Sequence, residues 1–332
     1  MVFITGATGI LGRVITLELL KQGKTVIGSK RKSSNLEEVK SSYQYYTRDY
    51  ELFFDRIQWI DVDFDSVESI RNALADVDEV YHCAAIVSYD PEKEDEVSYF
   101  NINATKNILE ACQYCKIKKI LYVSSSVIFK DNCQSQLIHE NSEFIPDYDN
   151  TVYALSKLKA DKVAAREMEN GLPVIIINPG MIIGTGNIKK SSTGFLHFLT
   201  NNFYTFSGGT ACVDVRDVAR TGIKLMEKNK FGERFLIASE NKTYEELFIM
   251  AGLHTGRRRV PLVLGPFILN IGRIAAIFVS WLFPSLRLLT KQNIRFLTTF
   301  PKVSNKKITD ELNYTFIPIE KSLAFHLGHL EN

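Results

Sequence analysis

Met1-Val2-Phe3-Ile4-Thr5-Gly6-Ala7-Thr8-Gly9-Ile10-Leu11-Gly12 sets a short apolar run directly before glycines at positions 6, 9 and 12. The run reads as a buried strand, and the helix-period segment from Gly12 to Gln22 follows at once. Glycine allows a tight turn and a close approach of backbone to a pyrophosphate, at which the new helix points its unpaired N–H groups. Gly6, Thr8, Gly9, Ile10, Leu11 and Gly12 are therefore candidate dinucleotide contacts. The spacing is G-x-x-G-x-x-G rather than the G-x-G-x-x-G of the standard dinucleotide fingerprint.

The alternation continues outward from this loop. Short apolar runs at Thr25–Ser29, Gln58–Val62, Glu79–Cys83, Ile120–Ser124 and Val174–Asn178 are separated by helix-period segments at Ser66–Ala75, Tyr99–Cys115 and Thr151–Glu169. Apolar strands separated by helices predict a parallel sheet covered on both faces, a doubly wound α/β fold. An extra segment, Ser41–Arg56, carries six aromatics and reads as an inserted helix packed on the sheet edge. After Asn178-Pro179-Gly180 the alternation loosens. We expect a Rossmann domain over 1–180, to which part of 210–240 returns, and a smaller mixed substrate lobe over most of 181–332.

Composition agrees with an ordinary globular chain. Its 332 residues amount to about two domain equivalents. Forty basic against 38 acidic residues give no bulk charge that would recruit nucleic acid. Five cysteines, an odd number, suggest reduced thiols and a cytoplasmic setting. With a strand so near the start, no signal or transit peptide is expected.

With the glycine loop in this spacing, the chain resembles the extended short-chain dehydrogenase/reductase superfamily, in its dihydroflavonol reductase and 3β-hydroxysteroid dehydrogenase-like branch. The likeness runs through Asp63-Phe64, His82-Cys83-Ala84-Ala85, Asn101 to Asn107, Val123-Ser124-Ser125, Tyr153-Ala154-Leu155-Ser156-Lys157, Asn178-Pro179-Gly180 and Val213 to Ala219. It implies that Asp63 and Phe64 line the adenine end, that Ala84 and Ala85 pass the middle of the cofactor, and that the segment with Pro179 and Ile182 approaches the nicotinamide. It also leaves open a homodimer through the helices containing Asn107–Cys115 and Tyr153–Glu169.

In NAD-preferring relatives an acidic residue ends the second strand, whereas arginine accommodates the 2′-phosphate of NADP. Here Lys30 stands in the acidic position and Arg31 matches the arginine of the reductase branch, so NADP(H) is favoured and NAD(H) is the alternative. Tyr153 and Lys157, four apart, share a helix face. An ammonium beside the phenol would lower its pKa and suit it to proton transfer. The resemblance implies Tyr153 as acid/base, Ser125 as hydrogen-bond partner of the reacting oxygen, with Ser126 as fallback, and Lys157 as the residue that tunes Tyr153 and holds the ribose. Lys130 replaces a customary glycine in the following turn.

No metal is expected: Cys112-x-x-Cys115 has no second pair and reads as packing, and the histidines lack zinc-ligand spacing. Arg257-Arg258-Arg259 reads as a solvated turn. The apolar stretch 260–289, with Phe267, Ile268, Ile274, Ile277, Phe278, Trp281, Leu282 and Phe283, is expected to roof an apolar pocket; peripheral membrane contact is the other reading. Nucleotide-sugar chemistry is weakened by Ser126-Val127 after the serine, by Gly209-Thr210-Ala211-Cys212 in place of an arginine, and by Asn178 where arginine commonly precedes Pro179. The leading expectation is an NADP-dependent oxidoreductase acting on a carbonyl or secondary alcohol of a largely apolar small molecule. The alternatives are a nucleotide-sugar epimerase and a non-catalytic NADP-sensing binding protein.

Overall fold

The first strand, β1 (Val2–Thr5), is buried along its whole length, as a strand covered on both faces must be. The computed structural model describes residues 1–130, 137–186, 191–256, 260–279 and 284–329, and the side chains of all these except 191–193, 277–279, 284 and 285. Cys133, Arg257-Arg258-Arg259, Trp281, Leu282 and Phe283, and the side chains of Ile277 and Phe278, therefore lie outside the described residues.

Eleven further strands follow: β2 (Val26–Lys30), β3 (Gln58–Asp61), β4 (Glu79–His82), β5 (Lys119–Val123), β6 (Val174–Pro179), β7 (Met181–Ile183), β8 (Tyr204–Phe206), β9 (Gly209–Asp214), β10 (Arg234–Ile237), β11 (Glu240–Thr243) and β12 (Leu262–Leu264). The helices are α1 (Ile10–Lys21), α2 (Leu36–Tyr43), α3 (Tyr50–Asp55), α4 (Val67–Ala73), α5 (Glu94–Tyr114), α6 (Val152–Glu169), α7 (Ser191–Asn201), α8 (Val215–Glu227), α9 (Tyr244–His254), α10 (Pro266–Val279), α11 (Lys291–Thr298), α12 (Lys306–Leu312) and α13 (Ile319–Leu327).

Seven strands form one parallel sheet in the order β10-β6-β5-β4-β1-β2-β3. Alternate residues serve opposite faces. Val2, Ile4, Leu121, Ile175 and Ile177 pack with α1 and α8, whereas Phe3, Val80, Ile120, Tyr122 and Ile176 pack with α4, α5 and α6. The strand order reverses between β1 and β4, so a crevice opens at the carboxyl ends of these strands. A mixed sheet β11-β9-β7 and the pair β12-β8 build the C-terminal lobe. This is the doubly wound α/β architecture expected.

Two boundaries differ from the sequence reading. Helix α5 begins at Glu94, five residues before Tyr99, because Glu94, Asp95 and Glu96 suit a helix N-terminus although they carry no apolar period. The inserted segment is two short helices, α2 and α3, rather than one. Tyr43 is fully buried between them and α1, Phe54 packs on Trp59 of the edge strand, and Tyr46 meets Phe325 of α13.

One buried ion pair joins three elements. Arg234 of β10 donates to both carboxylate oxygens of Asp161 on α6, at 2.6 and 2.7 Å, and to Asn178 Oδ1 of β6 at 2.8 Å. Asp161 is wholly inaccessible to solvent. Removing one partner strands a buried charge, which typically costs about 3–5 kcal/mol. Arg234→Ala is accordingly expected to lower the unfolding free energy by that much, read in urea as a lower midpoint at unchanged slope. Replacing both partners, as Asp161→Leu with Arg234→Met, should cost less than either single change.

Candidate active site

The loop between β1 and α1 is shaped by two close contacts. Gly6 has φ +66°, and a Cβ there would lie 2.9 Å from the Ala84 backbone. A Cβ on Gly12 would come within 2.2 Å of the Gly6 carbonyl oxygen. Helix α1 thus starts hard against the loop, with no side-chain cap and no acidic residue in its first turn. Its first N–H groups are left without a side-chain partner, the arrangement that suits an anion.

Behind the loop, Thr5 Oγ1 accepts from the N–H groups of Cys83 and Ala84, both at 3.1 Å, and its hydroxyl donates to His82 Nδ1 at 2.7 Å. His82 Nε2 then donates to Thr105 Oγ1 at 3.1 Å. Burial pushes the imidazole down to about 3, so it is a neutral brace between β1 and β4 rather than an acid or base. Arg13, also buried, holds the Thr8 carbonyl at 2.7 Å and pairs with both oxygens of Glu38 on α2.

The residues expected at the adenine end gather at the carboxyl ends of β2 and β3. Lys30 Nζ lies 3.0 Å from both oxygens of Asp61, so its charge is answered. The Arg31 guanidinium lies over the Phe100 ring, which meets Phe64 edge-on. Asp63 Oδ1 accepts from the Asp65 N–H at 3.0 Å.

From the loop a cavity of about 540 Å³ runs into the C-terminal lobe. Gly6, Gly9, Ile10, Leu11, Gly12, Ala85, Ser125, Tyr153, Lys157, Pro179 and Ile182 line it. Thr8, Lys30, Arg31, Asp63, Phe64 and Ala84 do not, the first five because they sit around the loop or at the adenine end and Ala84 because its backbone is pressed against Gly6. Ser124 also lines the cavity, whereas Ser126 does not.

Tyr153 and Lys157 stand on one face of α6, but the hydrogen bonds of Lys157 run elsewhere. Its Nζ donates to the Val123 carbonyl at 2.8 Å and to Tyr122 Oη at 3.1 Å. Burial pulls its pKa down to about 8 against the opposing pull of Asp161, one turn along the helix. Burial likewise pushes the Tyr153 phenol up to about 12, partly offset by the Ser125 hydroxyl. The sequence reading had the ammonium lowering the phenol; withdrawal from water is the larger effect in this structure.

Several supporting residues carried no role in the sequence reading. Asn101 of α5 bonds both the N–H and carbonyl of Ile86 and donates to Ser156 Oγ at 2.9 Å, and Ser156 in turn donates to the Tyr153 carbonyl. Asn178 donates to the Ser125 carbonyl at 3.1 Å. Asn101 sits in a motif already singled out, so its position was a usable signal. The Lys130 departure is harmless, because the turn closes through Lys130 N–H to the Glu143 carbonyl and Lys130 is not in the left-handed region that requires glycine.

The far end of the cavity is aromatic: Phe195, Phe198, Phe206 and Tyr244 form one cluster, and Tyr89 stacks on Phe296. Its roof corrects the expectation. Leu288, Phe296 and Leu297, in and before α11, close it, whereas Phe267, Ile268 and Ile274 of α10 face solvent. Among the described residues, the apolar stretch reaches the pocket only through Leu288, and the buried side chains of α10 are Leu269 and Ala276.

The sequence profile of the NAD dependent epimerase/dehydratase family matches residues 2–238. Sterol demethylase protein B of Methylococcus capsulatus is 27% identical over 266 residues, covering 79% of this chain and 77% of that protein. Cinnamoyl-CoA reductase 1 of Petunia hybrida is 29% identical over 249 residues, 72% of each. The crystal structure of gox2253 superposes over 100% of this chain and 98% of its own, with TM-score 0.84 at 22% identity. Thermus thermophilus UDP-glucose 4-epimerase, solved with NAD, gives TM-score 0.73 at 16% identity over 100% of this chain and 99% of its own. These two structures share the fold, and the family match extends over the glycine loop, the Tyr153/Lys157 helix and β10: the chain belongs to the NAD dependent epimerase/dehydratase family.

Proposed function

We propose that the chain is an NADP-dependent reductase of a carbonyl on a largely apolar small molecule. The observation that carries this reading is the single cavity joining the glycine loop, the Ser125/Tyr153/Lys157 group and an aromatic chamber. Such a chamber suits an apolar substrate fixed by a few polar groups. The names of the relatives, a sterol-processing protein and a cinnamoyl-CoA reductase, accord with it. In this reading residues 1–180, with β10 and α8, hold the dinucleotide, and most of 181–332 closes over the substrate.

The residues fit the cofactor. The open N-terminus of α1, pressed against the loop by the missing Cβ of Gly12, suits the pyrophosphate. Arg31 is the cation offered to a 2′-phosphate, since Lys30 is engaged by Asp61. Bound there, the dinucleotide supplies the hydride.

The chain supplies the proton. Ser125 hydrogen-bonds the substrate oxygen, and Tyr153, whose raised pKa keeps the phenol protonated at neutral pH, donates to it as charge develops. A protonated phenol is the proton donor that reduction requires, and reduction is the direction we propose. Lys157, held by the Val123 carbonyl, stands by as the cation that stabilises the resulting phenolate.

Three outcomes are expected. Tyr153→Phe should lower kcat for carbonyl reduction by about 10²–10⁴-fold while NADPH affinity, read by fluorescence titration, changes little; undiminished turnover, or turnover only with UDP-sugars, would remove this reading. Arg31→Glu should raise KM for NADPH at least about tenfold and leave that for NADH nearly unchanged. The third is a pH profile. Lys157 titrates at about 8 in the folded chain against an ordinary 10.5, so it is charged below about 8. Reduction should weaken as pH rises through that value, and Lys157→Met should lose the inflection. Between about 8 and 10.5 the unfolded chain holds this proton more tightly, so Lys157 makes folding stability rise with pH across the same window.

A further inference from the structure

Helix α10 is amphipathic in the wrong sense for a helix bathed in water. Among its residues with described side chains the exposed ones are Pro266, Phe267, Ile268, Ile271, Ile274 and Ala275, all apolar, with Phe267 78% exposed. Its inner face packs through Leu269 and Ala276, with Gly272 against Leu289. Before it, Val260 and the first residue of β12, Leu262, whose N–H donates to the Phe203 carbonyl, add to this surface, and Val260, Leu262 and Phe203 are all exposed. An outward apolar surface of this kind normally has an occupant.

Charge identifies that occupant. Between Glu246 and Asp310 lie 63 residues with ten lysines and arginines and no aspartate or glutamate. The whole chain has 40 basic and 38 acidic residues, so this segment carries a quarter of the cations and none of the carboxylates, and α10 lies near its centre. Arg287, Arg295, Lys306 and Lys307 are answered by Glu92, Asp149, Asp310 and Glu233 from outside the segment, whereas Arg273 is half-buried and donates to Asn270 and Lys291 is exposed. Among the described residues no helix is long and apolar enough to cross a membrane, and α10 has 14 residues, too few to span about 30 Å of hydrocarbon.

We infer that α10 and the Val260–Leu262 turn dock on the surface of an anionic lipid bilayer, with Phe267, Ile271 and Ile274 entering the headgroup boundary. Leu288, Phe296 and Leu297, which close the aromatic chamber, follow α10 in the same acid-free segment. Docking therefore brings the roof of the chamber, packed beside α10, close to a phase in which apolar molecules concentrate. That supply route rests on the proposed substrate class; the docking does not.

Flotation of the full chain decides it. With vesicles of phosphatidylcholine containing about 30% phosphatidylglycerol the protein should float, and at least about tenfold less should do so with phosphatidylcholine alone or in high salt. The Phe267→Ser/Ile271→Ser/Ile274→Ser variant should lose flotation by a similar factor while its thermal midpoint and NADPH affinity stay those of the parent. The inference fails if the parent stays at the bottom of the gradient with both vesicles, or if the variant floats equally well. It also fails if light scattering shows a parent dimer that the variant splits and neither floats, which would make the face a contact between copies. Carbonyl reduction measured in the same variant keeps the proposed reaction separately testable.

Discussion

The contact between Gly12 and the Gly6 carbonyl governs what the remainder of the molecule can do. With no Cβ at position 12, α1 begins directly on the loop, and its unpaired N–H groups face the crevice where the strand order reverses. The left-handed turn at Gly6 lets Ala84 press against the loop from β4, and Thr5, His82 and Thr105 lock that approach with a chain of bonds that leaves no buried donor unused. Any larger residue at either glycine would push helix and loop apart and lose the anion site. This backbone geometry is why the cavity starts at the loop and leads away from it.

Much of this was legible because its causes are local. Glycine spacing, strand-length apolar runs and a Tyr/Lys pair at helical spacing each act within a few residues, so the sheet, the loop and the α6 face could be read directly. What escaped depends on partners distant in sequence. Asn178 looked like the loss of an arginine; in the fold Arg234, 56 positions on, supplies the guanidinium from the neighbouring strand. Lys157 looked like the partner of Tyr153, but its bonds go to Tyr122 and Val123 on β5. The inward and outward faces of α10 could not be told apart either, since nearly every residue of that helix is apolar and periodicity carries no sign.

The Tyr153/Lys157 face of α6 shows how burial and charge compete. Tyr153 and Lys157 are both withdrawn from water, and burial favours the neutral form of each, which moves their pKa values apart, to about 12 and about 8. Asp161 pulls the other way on Lys157, and Arg234 holds that carboxylate in place. The ion pair behind α6 is therefore more than a fastening between helix and sheet. It fixes the charge that limits how far Lys157 falls, and through Asn178 it also reaches the backbone of Ser125.

A second pair of buried carboxylates does for the C-terminal lobe what Asp161 does for α6. Asp214 accepts from Arg216 and from Ser322 of α13, while Asp217 accepts from the Tyr314 hydroxyl and the Ile317 N–H. Strand β9 and helix α8 thereby hold the last segment of the chain in place from beneath. Phe325 of that segment lies over Arg216 and against Tyr46 of the inserted segment, and Glu38 of the same insertion grips Arg13 below the glycine loop. The aromatic insertion that read as sheet-edge packing thus links the loop that would hold the cofactor to the helix that seals the far lobe. Each link in that chain joins elements distant in sequence, so α13 is tied through the insertion and Arg13 to the backbone of the glycine loop at Thr8.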